Sequence, residues 1–279
     1  MKKLPNLALI VHACDRYELL YAGFIHFFRA NWGADLPFNC YFLTEETDVN
    51  FAGFINVKTG KGEWSDRLKR GLAAIPEPYV LYLQEDMWFD KAVFVPVFTE
   101  IMDFILENDA NLVKLHSSEV YKTNGLGVEI AGFQIAQLYN RTTDYLMSHQ
   151  ISIWKKTFFT AQLLPNEHPW RNERNATKRM KKLNPTIFQI DFFAEDGKPP
   201  LNENSQLQNR SSYHAVSANS MLYNAVEPFL EVLKSETGLL SIYGQKLQFH
   251  YDNHLTHDGQ PRARKEDIFT QFRKWLFKR

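Results

Sequence analysis

Cysteine is nearly absent: Cys14 and Cys40 are the only two in the chain, each in or beside an apolar strand pattern. They give no disulfide framework and no metal pair, and read as small buried hydrophobes in a reducing compartment. Long apolar runs are missing as well, since no stretch approaches the ~20 residues that span a bilayer. Lys2 and Lys3 precede the apolar run Leu7 to Val11, but it is too short for an export leader and no small-residue cleavage site follows. The expected location is therefore cytoplasmic, with the sequons at Asn140, Asn175 and Asn209 read as chance matches. Charge of one sign is also lacking: 32 Lys and Arg balance 32 Asp and Glu, so no overall field points to nucleic acid. No Gly-rich phosphate loop accompanies the first strand, which weighs against a nucleotidyltransferase.

What is present suits one large α/β domain of 279 residues. Apolar residues make up 44% and charged residues 23%, an ordinary balance for a globular protein. Aromatics reach 14%, enough to fill a large core and to line clefts. The organising stretch runs from Pro78 to Lys91. Tyr79 to Leu83 is apolar without helical period, as in a strand buried on both faces of a parallel sheet. Gln84, Glu85 and Asp86 follow, at the carboxyl end of that strand, where open α/β sheets bind ligands. Two adjacent acids repel each other, and a divalent cation is a natural reason for them. A solvated turn is the other reading. Along an extended segment Gln84 and Asp86 share one face, with Glu85 on the other.

Leu7 to Ala13 reads as a first strand, Phe38 to Thr44 as a second and Phe54 to Lys58 as a weaker third. Apolar spacing predicts a helix from Tyr17 to Trp32, so the start of the chain is a βαβ unit. Asp15 has two readings, N-cap of that helix with Glu18 three residues on, or ligand contact. Ser65 is placed to cap a helix bearing Leu68, Leu72 and Ile75. Asp66 suits its first turn on dipole grounds, whereas Arg67 does not and points to an anionic ligand or to plain surface. Val93 to Leu106 is an amphipathic helix and Leu112 to Leu115 a strand. Residues 120 to 149 give a mixed pattern with a turn at Asn124-Gly125.

Several stretches recur together in order: Cys14-Asp15-Arg16-Tyr17, Trp64-Ser65-Asp66-Arg67-Leu68, Tyr79-Val-Leu-Tyr-Leu-Gln-Glu-Asp86, Gln150-Ile-Ser-Ile-Trp154, and Asn166-Glu167-His-Pro169-Trp170-Arg-Asn-Glu173. The set resembles bacterial nucleotide-sugar glycosyltransferases of the GT-A fold that build surface polysaccharide, over roughly residues 8 to 175. The resemblance implies a GT-A-like α/β fold, a mostly parallel central sheet flanked by helices in a single domain. Residues 1–261 would form it, with 1–116 as nucleotide-donor half and 117–261 as acceptor half. It implies a hexosyl transfer from a nucleotide-diphosphate sugar to a glycan or lipid-linked acceptor, assisted by Mn²⁺ or Mg²⁺. A non-catalytic nucleotide- or sugar-binding module is the alternative. By the same resemblance Asp15, Asp66 and Arg67 lie near the nucleotide, Asp86 ligates the metal, Glu85 stands behind it, and a late histidine, with His250 the first candidate, completes the metal site. The Gln84-Glu85-Asp86 form departs from the usual Asp-X-Asp.

The acceptor hydroxyl needs a carboxylate to take its proton. Glu173, one helical turn past Trp170, is the candidate and Glu167 the substitute; the bland reading has Pro169 starting a helix, Trp170 anchoring it and Glu173 solvated. Residues 171 to 212, polar and interrupted by prolines, read as a mobile acceptor loop; within it Lys178, Arg179, Lys181 and Lys182 mark a solvated basic helix or a contact with a phosphate-bearing acceptor. His250 and His254, at i and i+4, can share a helical face, and the flanking Asn and Asp fit a loop equally well. Arg262 to Arg279 carries seven Lys or Arg with Phe269, Phe272 and Trp275 near helical spacing, so 262–279 reads as an interfacial membrane anchor or as a helix packed on the domain.

Overall fold

The computed structural model describes residues 3–200 and 208–261 of the chain. Two compact units make it up, Met1–Val216 and Ser217 onward. The basic tail at 262–279 lies outside the described residues.

In the first unit the elements run β1 (Leu7–His12), α1 (Tyr21–Trp32), β2 (Asn39–Thr44), β3 (Phe54–Lys58), α2 (Trp64–Ala74), β4 (Tyr79–Gln84) and β5 (Met87–Phe89). There follow α3 (Val97–Glu107), β6 (Leu112–His116), β7 (Thr123–Ile130), β8 (Phe133–Leu138), β9 (Ser152–Lys155), α4 (Lys156–Ala161), α5 (Pro169–Leu183), β10 (Ile187–Glu195) and β11 (Ser211–Ala215). One sheet holds the strands in the order β3-β2-β1-β4-β9-β6-β10-β11-β5, with the β7–β8 hairpin joined to β10. All strands on that path except β9 and β5 run the same way. The chain is thus α/β, with a mostly parallel sheet flanked by helices.

The apolar runs explain the topology. Every residue of β1 is buried, as are the first five of β4 and eight of the nine in β10, which a parallel sheet covered on both faces demands. One face carries Ala8, Ile10, Val80 and Tyr82 against Leu68 and Leu72 of α2 and Phe159 of α4. Towards α1 the aromatics are stacked. Phe28 stacks on Trp32 at 5.1 Å between ring centres and Trp32 on Phe98 at 5.6 Å, with Phe42 edge-on to Phe24 at 6.1 Å. Trp88 lies so close to Gly23 that a Cβ there would come within 2.2 Å of its ring. Most of the aromatic excess is core filling.

Several local expectations are corrected. The chain turns through a 3-10 segment, Asp15–Leu20, before α1 begins, and the Asp15 side chain makes no cap. Trp64, not Ser65, opens α2, and no side chain caps it. The mixed pattern at 120–149 contains the β7–β8 hairpin, and the supposed acceptor loop at 171–212 is largely α5 and β10. Met180, Ala176 and Asn172 form a narrow buried stripe on α5, and within β10 the buried Asp191 is neutralised by Arg210 at 2.8 Å. Such paired polar groups allow a polar stretch to be core.

The second unit contains β12 (Ser217–Ala218) paired with β13 (Met221–Leu222), then α6 (Glu227–Ser235) and α7 (Leu239–Asp252). Buried Phe229, Leu230 and Leu233 of α6, with Leu247 and Gly244 of α7, form its core. No helix among the described residues is long and apolar enough to cross a membrane.

Candidate functional site

The carboxyl ends of β1, β2 and β4, neighbours in the sheet, bring the sequence-distant acids together. Glu85 turns inward and is buried, while Gln84 and Asp86 on either side are half-buried, as strand alternation requires. The backbone N–H of Cys14, just past β1, donates to Glu85 Oε1 at 3.1 Å. Burial first, and then the charge of Asp86, pushes the Glu85 carboxyl well above its ordinary range; the Cys14 N–H and the Arg67 guanidinium oppose this. Asp86 is also raised, by burial. Two acids held at the end of a central strand with their protons retained to higher pH form a site that favours an added positive charge.

Arg67 closes the inner side. It is only 5% exposed, donates from Nη1 to the Ala13 carbonyl at 2.9 Å and pairs with Glu45 at 3.3 Å. The anion that explains an arginine in the first turn of α2 is therefore an internal carboxylate. Arg67 thus ties the start of α2 to the ends of β1 and β2. Asp15 is similarly engaged. Its Oδ1 accepts the Glu45 N–H and its Oδ2 those of Glu46 and Thr47, at 2.8, 2.8 and 2.9 Å. Against the cost of partial burial, these bonds hold its carboxyl below the usual range. Asp15 thus shapes the turn after β2. Asp66, half-buried, accepts the Asn166 N–H at 3.1 Å, and the neighbouring Ser65 hydroxyl donates to the Leu164 carbonyl at 2.7 Å. The opening of α2 is thereby stitched to the loop that leads into α5.

That loop positions the two candidate bases differently. Glu167 is buried and gripped by Asn172, Asn175 and both terminal nitrogens of Arg179, at 2.7 to 3.1 Å. Burial alone would raise its pKa, but these bonds hold it below the ordinary value. A carboxylate so satisfied is a weaker proton acceptor than a free one, and Arg179 is its partner rather than part of a free basic face. Glu173, half-buried, accepts only the His149 N–H among the described residues, at 3.0 Å, and burial raises its pKa. Trp170 is 62% exposed and does not anchor α5 to the core.

Sequence reasoning missed the polar interior behind Glu173. Lys114 is fully buried in β6, its Nζ donating to Ser148 Oγ at 2.7 Å and to Tyr121 Oη at 3.3 Å. Burial lowers it to about 7, with Glu173 opposing. Tyr121 Oη also meets His116 Nε2 at 2.9 Å. The signal was available: a lysine interrupts the apolar run Leu112-Val-Lys-Leu. His12, at the end of β1, is buried with neither ring nitrogen bonded among the described residues, and burial keeps it neutral. It packs near Trp64, whose ring lies 4.1 Å from that of His149.

The fit to a divalent cation rests on Asp86, with Glu85 behind it. One or two carboxylates are the protein share Mg²⁺ usually takes, substrate phosphates and water supplying the rest. Among the described residues no group of three or more His, Cys, Asp or Glu converges on a metal position. His250 belongs to the second unit, where its buried ring meets the Thr256 carbonyl through Nδ1 at 3.2 Å. His254 lies beyond the end of α7 with a positive φ of 50°, so the expected shared helical face is corrected.

No protein-family model matches the chain, and no curated protein does. Among solved structures it is similar to S. aureus TarS at 13% identity and a TM-score of 0.46, over 99% of this chain and 47% of that one. The TarS 1–349 fragment in complex with UDP matches at 15% identity and TM-score 0.48, over 99% of this chain and 78% of that one. The same fragment in complex with UDP-GlcNAc matches at 16% and 0.47, over 97% and 78%. This chain therefore spans under half of the longer TarS chain, and likeness at this level assigns no residue roles.

Proposed function

We propose that the protein is a nucleotide-sugar glycosyltransferase of GT-A type, with a nucleoside diphosphate as the leaving group and a glycan or lipid-linked hydroxyl as acceptor. The observation that carries this reading is the Glu85–Asp86 pair, desolvated and mutually repelling at the carboxyl end of β4. Such a pair is costly without a cation, and a cation bound there would neutralise it while leaving ligand positions for a diphosphate.

In this reading Asp86 holds Mn²⁺ or Mg²⁺, with Glu85 supporting it from within. When bound, the metal stabilises the negative charge that gathers on the departing diphosphate. The Cys14 N–H fixes Glu85, and Asp66 sets the start of α2 beside the nucleotide. The acceptor hydroxyl oxygen forms the new bond to the anomeric carbon as the old bond to the diphosphate oxygen breaks. Glu173 takes the hydroxyl proton, its raised pKa bringing it closer to the matched value a base needs near neutral pH. The exposed Trp170 ring, one turn earlier on α5, offers a face for the acceptor sugar.

Calorimetry with UDP, GDP, ADP and CDP, with and without Mn²⁺, tests the donor site. Binding of one diphosphate, lost on chelating the metal and on Asp86→Ala, is the expected outcome. If none binds, the reading fails. Metal-independent binding without transfer of sugar to any acceptor would instead mark a binding module.

A further inference from the structure

A second polar cleft opens on the far side of the first unit, where the β7–β8 hairpin meets the loop between α5 and β10. It encloses about 750 Å³, within the span of roughly 300–1,000 Å³ usual for ligand sites. Asn124, Gln137, Tyr139, Asn140, Arg141 and Asn184 are among its lining residues. β8 stands four strand positions from β4 in the sheet, about 19 Å at ordinary strand spacing. This cleft is therefore separate from the Glu85–Asp86 site.

Its chemistry is that of amides. Asn140 is only 7% exposed and its orientation is fixed, because Nδ2 donates to Asn184 Oδ1 at 3.1 Å and to the Pro185 carbonyl at 2.6 Å. Its Oδ1 is left buried with no hydrogen-bond donor among the described residues. A buried acceptor left unmet is destabilising, and Asn140 belongs to the wall of the cleft. Asn124 and Gln137 face each other across the β7–β8 ladder, both exposed. Beside them the Tyr139 side chain is 53% exposed, although its backbone is rigidly held. The Tyr139 N–H donates to the Lys122 carbonyl at 2.8 Å, and its own carbonyl accepts from the Thr142 and Thr143 N–H groups.

We propose that this cleft binds a neutral oligosaccharide. Sugar hydroxyls donate and accept at once, as do the side-chain amides that line the cleft. The apolar C–H face of a sugar ring suits the exposed Tyr139 ring. A single cation, Arg141, and no carboxylate stand among the lining residues, so the site selects polar rather than strongly charged ligands. Asn140 is committed to this framework through its amide nitrogen, so the sequon it heads is not available for glycosylation. The proposal does not depend on the transferase reading.

The test is calorimetric titration of the full chain with chitotetraose, maltotetraose and cellotetraose, each to about 5 mM so that millimolar affinity is resolved. At least one is expected to bind. Tyr139→Ala and the double variant Asn124→Ala/Gln137→Ala, all at exposed positions, should each weaken that binding about tenfold or more while UDP affinity stays unchanged. Binding of none of the three, or binding that survives both variants, overturns the proposal. Failure of all four nucleoside diphosphates to bind while the tetrasaccharide binds would strike the transferase reading alone.

Discussion

The Cys14 backbone N–H reaches Glu85 Oε1 at 3.1 Å, so the end of β1 supports the carboxylate at the end of β4 although 71 residues separate them in the chain. Glu85 thereby holds its place without exposure, at an electrostatic cost.

That cost predicts a pH dependence. Burial raises the folded-state pKa of Glu85 above its ordinary value of 4.5. Between the unfolded and folded values the native state holds more protons than the unfolded state, so stability falls as pH rises. Glu85→Gln keeps an acceptor for Cys14 and removes the charge. Its melting temperature relative to wild type should therefore climb between about pH 5 and about pH 8. A difference that stays flat or falls over that range refutes the assignment.

Glu173→Gln should abolish sugar transfer while leaving nucleotide affinity unchanged, since only the proton acceptor is lost. The glutamine amide oxygen can still accept the His149 N–H, so the fold should persist. Wild-type turnover in this variant would remove Glu173 from the reaction.

Glu167→Ala is expected to behave in the opposite way. It strips four hydrogen bonds and leaves Arg179 without its anion, a loss on the order of 3 kcal/mol. Denaturant titration should register the loss, with turnover per folded molecule retained at temperatures where the variant is native. A stable but inactive variant would return Glu167 to the candidate bases.

Gly23→Ala tests the packing beneath the site. The added methyl meets the buried Trp88 ring at 2.2 Å, and overpacking of this kind costs typically 1–3 kcal/mol. Melting should shift downward accordingly. An unshifted transition would mean that Trp88 moves aside at no cost.

The sequence disclosed the parallel half of the sheet because uninterrupted apolar runs have few other uses. β3 lies at Phe54–Lys58, as its pattern predicts. It also marked the carboxyl end of β4, because acids directly after such a strand stand out. It concealed β10, where burial depends on partners far along the chain. Asp191 becomes a core residue only because Arg210, 19 residues later, neutralises it. For the same reason the partners of Arg67 and Asp15 were not legible: Glu45 and the backbone around Thr47 lie at another strand end. Lys114 was legible as an anomaly, though its bonds to Ser148 and Tyr121 were not.

Only Glu85 and Asp86 separate β4, in the middle of the sheet, from β5 at its edge. Past them, β5 pairs antiparallel with β11, Trp88 opposite His214, and Trp88 presses on Gly23. A single inserted or deleted residue here would reverse which side chains of β5 face inward, carrying Trp88 off its glycine. The acidic step can therefore change by substitution but not in length. Variation at this step is confined to the two side chains of a connection whose length the fold fixes.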